Sequence, residues 1–264
     1  MSRKRTDTVL VVKVDAERSH RTPDHLVVEE PLSIRLDGEL VATTMRTPGQ
    51  DFELATGFCF ADGLLGGAPV TGVRYCADGS AVESAFNVVT VETGGRAPTP
   101  TPRLGNTSSS CGLCGSQALD ELVERLVPVP SGLPDVPFKT ISAIPAAVAT
   151  VQPIFAETGA VHAAAAFTTD GRIDVVREDV GRHNAVDKVV GRLLLDGRLP
   201  ARDLALFVSG RASFEMVQKA WAAGFGTVVS VSAPTALAVQ TAKRAGITLY
   251  GFVRDGRAVR YSPG

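Results

Sequence analysis

Between residues 163 and 253, short apolar runs alternate with segments of helical periodicity. No other feature constrains the fold as much. The runs 163–168, 173–177, 205–209, 227–231 and 248–253 read as strands. The segments 143–155, 184–195, 213–223 and 235–245 read as helices. Pro145 is placed in the first turn of its helix, where the missing N–H costs nothing. Strands that alternate with helices of roughly ten residues predict an α/β layered domain around a largely parallel sheet.

The N-terminal third reads differently. Residues 9–14 and 26–46 are strand-like. Leu32-Ser-Ile-Arg-Leu36 alternates with period two, Asp37-Gly38 supplies a hairpin turn, and a return strand follows to Met45. A short helix is predicted over 51–58, and strands recur at 70–76 and 85–92. The run Gly94-Gly-Arg-Ala-Pro-Thr-Pro-Thr-Pro102 can be neither helix nor central strand, because its prolines remove donors and fix φ. It leads to a helix over 116–126, capped by Ser116 and carrying Leu119, Leu122, Val123 and Leu126 at i, i+3, i+4, i+7 spacing. Prolines in 127–134 break the chain again. The reading is therefore a β-rich unit at 1–93, an exposed Pro/Gly-rich loop with its helix at 94–134, and an α/β unit at 135–264.

Charge excludes some partners. Lys+Arg 27 against Asp+Glu 28 leaves a net charge of −1, which gives no general attraction for nucleic acid or membrane. No stretch approaches the roughly 18 apolar residues that a transmembrane helix needs, and the first apolar run is too short for a secretory leader. A cytoplasmic protein is expected. In a reducing compartment its four cysteines serve better as ligands or reactive thiols than as a disulfide framework.

Two of the four sit together in Ser108-Ser-Ser-Cys-Gly-Leu-Cys-Gly115. A Cys-x-x-Cys pair can bind metal, cycle between dithiol and disulfide, or act as a thiolate or persulfide catalyst. A structural zinc site needs a second close pair, but Cys59 and Cys76 lie 17 residues apart, and Cys76 precedes Cys111 by 35. A thioredoxin-type unit needs a strand directly before the pair, and here a proline loop precedes it. A nucleophilic cysteine fits better, since a nearby helix N-terminus lowers a thiol pKa and small glycines leave the sulfur open.

Three further segments can bear chemistry. Arg177-Glu-Asp-Val-Gly-Arg-His-Asn-Ala-Val-Asp-Lys188 offers backbone donors, a cation and an imidazole at a helix start, suited to an anion; equally, His183 and Asp187 can pair at i, i+4 on a helix surface. Ser209-Gly-Arg-Ala-Ser213 ends a strand where α/β sheets form their ligand crevice. Thr248-Leu-Tyr-Gly-Phe-Val-Arg-Asp-Gly-Arg257 closes the last strand with two arginines around Asp255-Gly256. That arrangement is either a phosphate clamp or a plain hairpin turn.

In order and spacing, Cys111-Gly-Leu-Cys-Gly115, Glu178 to Lys188, Ser209-Gly-Arg-Ala-Ser-Phe-Glu-Met216, Ser232 to Ala238 and Gly251-Phe-Val-Arg254 resemble the formate dehydrogenase accessory sulfurtransferases, the FdhD family. The resemblance implies a sulfurtransferase that takes sulfur from a cysteine desulfurase as a persulfide on Cys111. It passes the sulfur to the molybdenum bis(molybdopterin guanine dinucleotide) cofactor that formate dehydrogenase requires. Cys114 is implied as a supporting thiol. Phe252, Val253, Arg254, Asp255, Gly256 and Arg257 match the cofactor-binding stretch, and a homodimer is implied. The larger domain is implied to be a cytidine deaminase-like α/β/α layer beside the smaller β-rich domain. No cysteine follows residue 114, so a deaminase zinc set cannot be completed and no resident metal is expected. Rival classes are a chaperone that binds the cofactor without moving sulfur, and a dithiol oxidoreductase. The sequence assigns no ligand contact to His183, Asn184, Ser209 or Arg211.

Overall fold

The computed structural model describes residues 3–76, 80–99, 120 and 123–262. Cys111, Cys114 and most of the helix predicted over 116–126 lie outside the described residues.

Two larger sheets carry the body of the protein, each with its own apolar core. The first orders as β4-β3-β6-β5, from β3 (Glu30–Leu36), β4 (Glu39–Arg46), β5 (Gly72–Tyr75) and β6 (Val88–Glu92). β3 and β4 form the hairpin predicted around Asp37-Gly38, both in left-handed backbone. Helix α1 (Asp51–Ala61) covers this sheet with Leu54, Ala55 and Cys59, all buried against Leu32, Ile34, Val89 and Val91. Ahead of it, β1 (Thr6–Val14) and β2 (Ser19–Val27) make a separate two-stranded ribbon. β2 runs straight through Pro23, so the strand begins earlier than sequence reading places it.

The second sheet orders as β12-β11-β10-β9-β7-β8. Its strands are β7 (His162–Thr168), β8 (Ile173–Asp179), β9 (Leu204–Val208), β10 (Thr227–Ser230), β11 (Thr248–Arg254) and β12 (Arg257–Ser262). Only β9, β10 and β11 are mutually parallel, while β7, β8 and β12 join antiparallel. The expectation of a largely parallel sheet thus holds for the central strands alone. The physical reason is connection length: β7–β8 and β11–β12 are tight hairpins, which can only pair antiparallel.

The helices α4 (Arg182–Leu195), α5 (Phe214–Ala223) and α6 (Ala236–Ala245) pack on one face of this sheet through Val186, Val189, Met216, Val217 and Ala242. On the other face, α2 (Phe138–Ala149) places Ile141, Ile144 and Val148 against Ala165, Phe167, Phe207 and Val229. The single helix predicted over 143–155 is in fact two, α2 and α3 (Pro153–Thr158). Pro145 sits inside α2, not in its first turn. The break comes before Pro153 because a residue preceding proline is driven out of the α region, and Gln152 has φ −110°, ψ 77°.

The two sheets are joined by α1 against α4. At their crossing Gly57 and Gly191 let the backbones touch. A Cβ on Gly57 would lie 1.9 Å from the Asp187 carbonyl, and one on Gly191 would lie 1.8 Å from the Glu53 carbonyl. The segment after residue 126 is tied to the second sheet's layer, with the Val129 N–H donating to the Ala245 carbonyl and the Trp221 indole donating to the Val127 carbonyl.

Candidate functional site

The carboxyl ends of β9, β10 and β11 point to one edge of the second sheet. Because β7 and β8 run as a hairpin beside β9, the start of β7 and the end of β8 reach the same edge. In an open α/β sheet this edge is where ligands bind. It gathers His162, the loop 179–183, the turn 209–213 and the β11–β12 hairpin.

One part of it is a hollow of about 470 Å³ lined by Pro145, Gln152, Phe155, His162, Ser209 and Val231, among others. The Ser209 hydroxyl accepts from the Ala163 N–H at 2.9 Å and lies 3.4 Å from His162 Nδ1. Burial, with Arg182 and His183 nearby, pushes the His162 pKa down, so its imidazole stays neutral at neutral pH. Beside it the His183 Nε2 stands 3.5 Å from Glu215 Oε2, and the Ser213 hydroxyl donates to the same oxygen at 2.8 Å. The His183 contact, reinforced by Ser213, holds the Glu215 carboxyl down to about 2. Arg182 keeps a buried Nε without a protein partner. The hollow is lined mainly by apolar side chains, with Gln152, His162 and Ser209 as its polar members.

The second hollow, about 660 Å³, lies at the β11–β12 turn. Arg254 pairs with Arg257 across a two-residue turn, and Asp255 (φ 51°) and Gly256 (φ 71°) are both left-handed, a type I′ geometry. Phe252 also takes positive φ, 52°, at a bulge in the ladder, so its ring is exposed beside Phe138. Of the six residues predicted to bind cofactor, Phe252, Arg254, Asp255, Gly256 and Arg257 line this hollow. Val253 does not, because it is buried in the core beneath. The plain hairpin turn is present, and it sets Arg254 opposite Arg257 in the ladder.

The 178–188 motif divides its labour. The Glu178 carboxylate accepts from the Ile154 and Phe155 N–H groups, capping α3. Lys188 Nζ lies 2.6 Å from Asp179 Oδ2 and donates to the Thr47 carbonyl at 3.0 Å, all fully buried. Asp179 also accepts from the Thr47 N–H and from Asn184, whose amide reaches the Met45 carbonyl. These side chains latch the β4–α1 loop to the second sheet. Asn184 is thus a structural residue, while His183 faces the ligand edge.

The expected surface pair of His183 and Asp187 does not form. Asp187 turns instead to Lys219, at 2.7 Å, in a buried cluster with Asp62. Burial raises the Asp187 pKa to about 6 although Lys219 opposes the shift. His162 and Gln152 are site residues that the sequence did not single out, and only the packing of distant segments brings them to Ser209. Glu215 lies within the Ser209–Met216 stretch that the sequence did single out. Arg211 is exposed at the same edge.

Cys59 and Cys76 are both buried, at 0% and 5% exposure, and burial drives the Cys59 thiol far above its ordinary pKa. Among the described residues no helix is long and apolar enough to cross a membrane.

The FdhD/NarQ family model matches residues 27–264. The chain is 46% identical over 252 residues to a protein of Mycolicibacterium paratuberculosis named Sulfur carrier protein FdhD, covering 93% of this chain and 92% of that one. It is 45% identical over 257 residues to the Nocardia farcinica protein of the same name, covering 96% and 91%. The crystal structure of a Desulfotalea psychrophila protein assigned as a formate dehydrogenase accessory protein superimposes with TM-score 0.78 at 25% identity, covering 98% of both chains.

Proposed function

This chain belongs to the FdhD/NarQ family, and from that membership we propose that it is a sulfur carrier. It takes sulfur from a cysteine desulfurase as a persulfide on Cys111 and delivers it to the molybdenum bis(molybdopterin guanine dinucleotide) cofactor used by formate dehydrogenase. The carrying observation is the likeness, at about 45% identity over more than nine tenths of the chain, to proteins named sulfur carriers. Burial adds a second support. A carrier thiol must meet two partners in turn, and Cys59 and Cys76 are both enclosed in the core, which leaves the Cys111/Cys114 pair. On this reading residues 1–93 are scaffold, 94–134 the carrier loop, and 135–264 the cofactor-binding unit. The deaminase-like layering serves as a nucleotide cradle without deaminase chemistry.

Loading is an ordinary exchange. The Cys111 thiolate attacks the outer sulfur of the donor's persulfide, the donor's S–S bond breaks, and the donor leaves as a thiolate. Delivery as sulfide needs two electrons. Attack of the Cys114 thiolate on the Cys111 sulfur supplies them, expelling HS⁻ and leaving a Cys111–Cys114 disulfide that a dithiol then reduces. The cofactor is the recipient. Arg254 and Arg257 meet its phosphates, and the exposed Phe252 and Phe138 rings offer flat apolar surface beside them.

After incubation with a cysteine desulfurase and cysteine, wild-type protein is expected to release labile sulfur on cold cyanolysis, and Cys114→Ala to release a comparable amount. Cys111→Ala is expected to release none and to restore no formate dehydrogenase activity in cells lacking the native gene. Labile sulfur on Cys111→Ala equal to wild type sinks the carrier reading. A sulfur-free Cys111→Ala that still restores the enzyme establishes the non-catalytic chaperone instead.

The double variant Arg254→Ala/Arg257→Ala is expected to weaken cofactor binding at least tenfold. Charge-assisted bonds of roughly 1.5–3 kcal/mol are lost, while persulfide loading stays intact. Titration calorimetry with the purified cofactor measures it, and an unchanged Kd removes the hairpin from the site.

A further inference from the structure

Three helices meet at one lysine. Lys219 on α5 is buried, and its Nζ lies 2.7 Å from Asp187 Oδ1 on α4 and 3.3 Å from Asp62 Oδ1, just past α1. The Phe58 ring of α1 stands 5.5 Å from the same nitrogen. Burial works against the Lys219 charge, but Asp187 and Asp62 outweigh it and hold the ammonium above its ordinary pKa.

Asp187 is the less well served of the two carboxylates. Its side chain is 3% exposed, against 11% for Asp62. The hydrogen bond from Lys219 goes to Asp62. Toward Asp187 the lysine supplies charge without hydrogen-bond geometry, and Asp187 Oδ1 has no other donor. Among the described residues the surrounding titratable groups offer it no second ion pair. Cys59 of α1 is a neutral thiol, driven far above its ordinary pKa by burial. His183, one turn earlier on α4, turns to Glu215 of α5 at 3.5 Å, and Lys188 turns to Asp179 at 2.6 Å. Desolvation disfavours the charged form of such a carboxylate, and burial accordingly lifts the Asp187 pKa to about 6.

The same junction holds the limb that leaves the Cys111/Cys114 segment. Arg125 Nη1 donates to the Asp62 carbonyl at 2.7 Å, and a Cβ on Gly63 would lie 2.2 Å from that nitrogen. We infer that Asp187 is a proton-operated lock on this junction. Neutral, it lets α1, α4 and α5 close around Lys219; ionised, it draws water, and the junction opens more often and releases the limb at Arg125. The lock sets how firmly this limb is held, whether or not Cys111 carries sulfur. In the unfolded chain Asp187 titrates near about 4, so between about pH 4 and 6 only the folded protein keeps the proton. The stability this group contributes is complete below that window and is lost as the pH rises through about 6.

Hydrogen exchange on the full chain, corrected for the intrinsic effect of pH, reads the lock at residues 57–63. Wild type is expected to be at least about tenfold better protected at pH 5 than at pH 7.5, since one pKa unit is a factor of ten. Asp187→Asn, a permanently neutral isostere, is expected to keep the high protection at both pH values. Asp62→Asn leaves Lys219 to Asp187 alone, so its loss of protection is expected to begin at lower pH than in wild type. At pH 7.5 trypsin is expected to cut after Arg125 about tenfold more slowly in Asp187→Asn than in wild type, because cleavage follows the open population. The pairing of His183 with Glu215 is unchanged in each variant, so differences between them report Asp187. Equal wild-type protection at the two pH values overturns the lock, as does a pH step that survives in Asp187→Asn. Equal trypsin rates overturn its link to the limb. Should Asp187→Asn fail to match wild type by circular dichroism, Asp62→Asn decides, and a pH step that stays where wild type has it overturns the shared lysine.

Discussion

Lys188→Met is expected to lower the unfolding free energy by about 3–5 kcal/mol, the usual cost of stripping one partner from a buried ion pair. Lys188 is fully enclosed and satisfies Asp179 together with the Thr47 and Glu178 carbonyls. Methionine restores the volume of the stem but leaves the Asp179 charge without its cation. Burial pushes the Lys188 pKa down, yet the 2.6 Å contact with Asp179 favours the charged pair. Urea unfolding followed through the single tryptophan, Trp221, measures the effect. Lys188→Met/Asp179→Asn should recover part of the loss, because no uncompensated charge then remains. A neutral-pH loss below about 1 kcal/mol for Lys188→Met would mean the latch contributes no more than a surface pair.

Gly191→Ala should act at the other end of the same junction. Helix propensity alone favours alanine over glycine by about 1 kcal/mol. Against this, the new Cβ would stand 1.8 Å from the Glu53 carbonyl oxygen and within 2.8 Å of the Gly57 nitrogen. These are backbone atoms of a packed helix and cannot swing aside, so α1 must move off α4 and uncover the core between them. Overpacking of this kind outweighs the propensity gain, and a net loss of about 3 kcal/mol or more is expected. A thermal melt at or above wild type would show that the crossing can relax. The Arg177–Glu53 ion pair at 2.5 Å bridges the same two units and should weaken with it.

Much of the second sheet was legible because its elements are local. Residues 184–195 and 213–223 carry their helical period in the sequence, and the apolar runs between them match β9, β10 and β11 closely. The errors came where a local signal had two meanings. Pro145 was consistent with a first turn, but the helix starts seven residues earlier, at Phe138. The 178–188 motif was readable as a dense polar cluster but not as a latch. The groups it binds, at Met45 and Thr47, lie more than 130 residues away in sequence.

The sequence by itself determined the family. The Cys111/Cys114 pair, the two arginines around Asp255-Gly256 and the Ser209 turn are covalent facts, and their spacing survives any arrangement of the chain. Only the tertiary structure decided which polar residues face a ligand and which hold the two sheets together. His183 and Asn184 are adjacent on α4, yet one meets Glu215 at the sheet edge and the other is fixed to the β4–α1 loop. The difference follows from helix geometry: successive residues diverge by about 100°, so neighbours in sequence face different surroundings. What those surroundings contain is set by packing with distant segments, which no local pattern encodes.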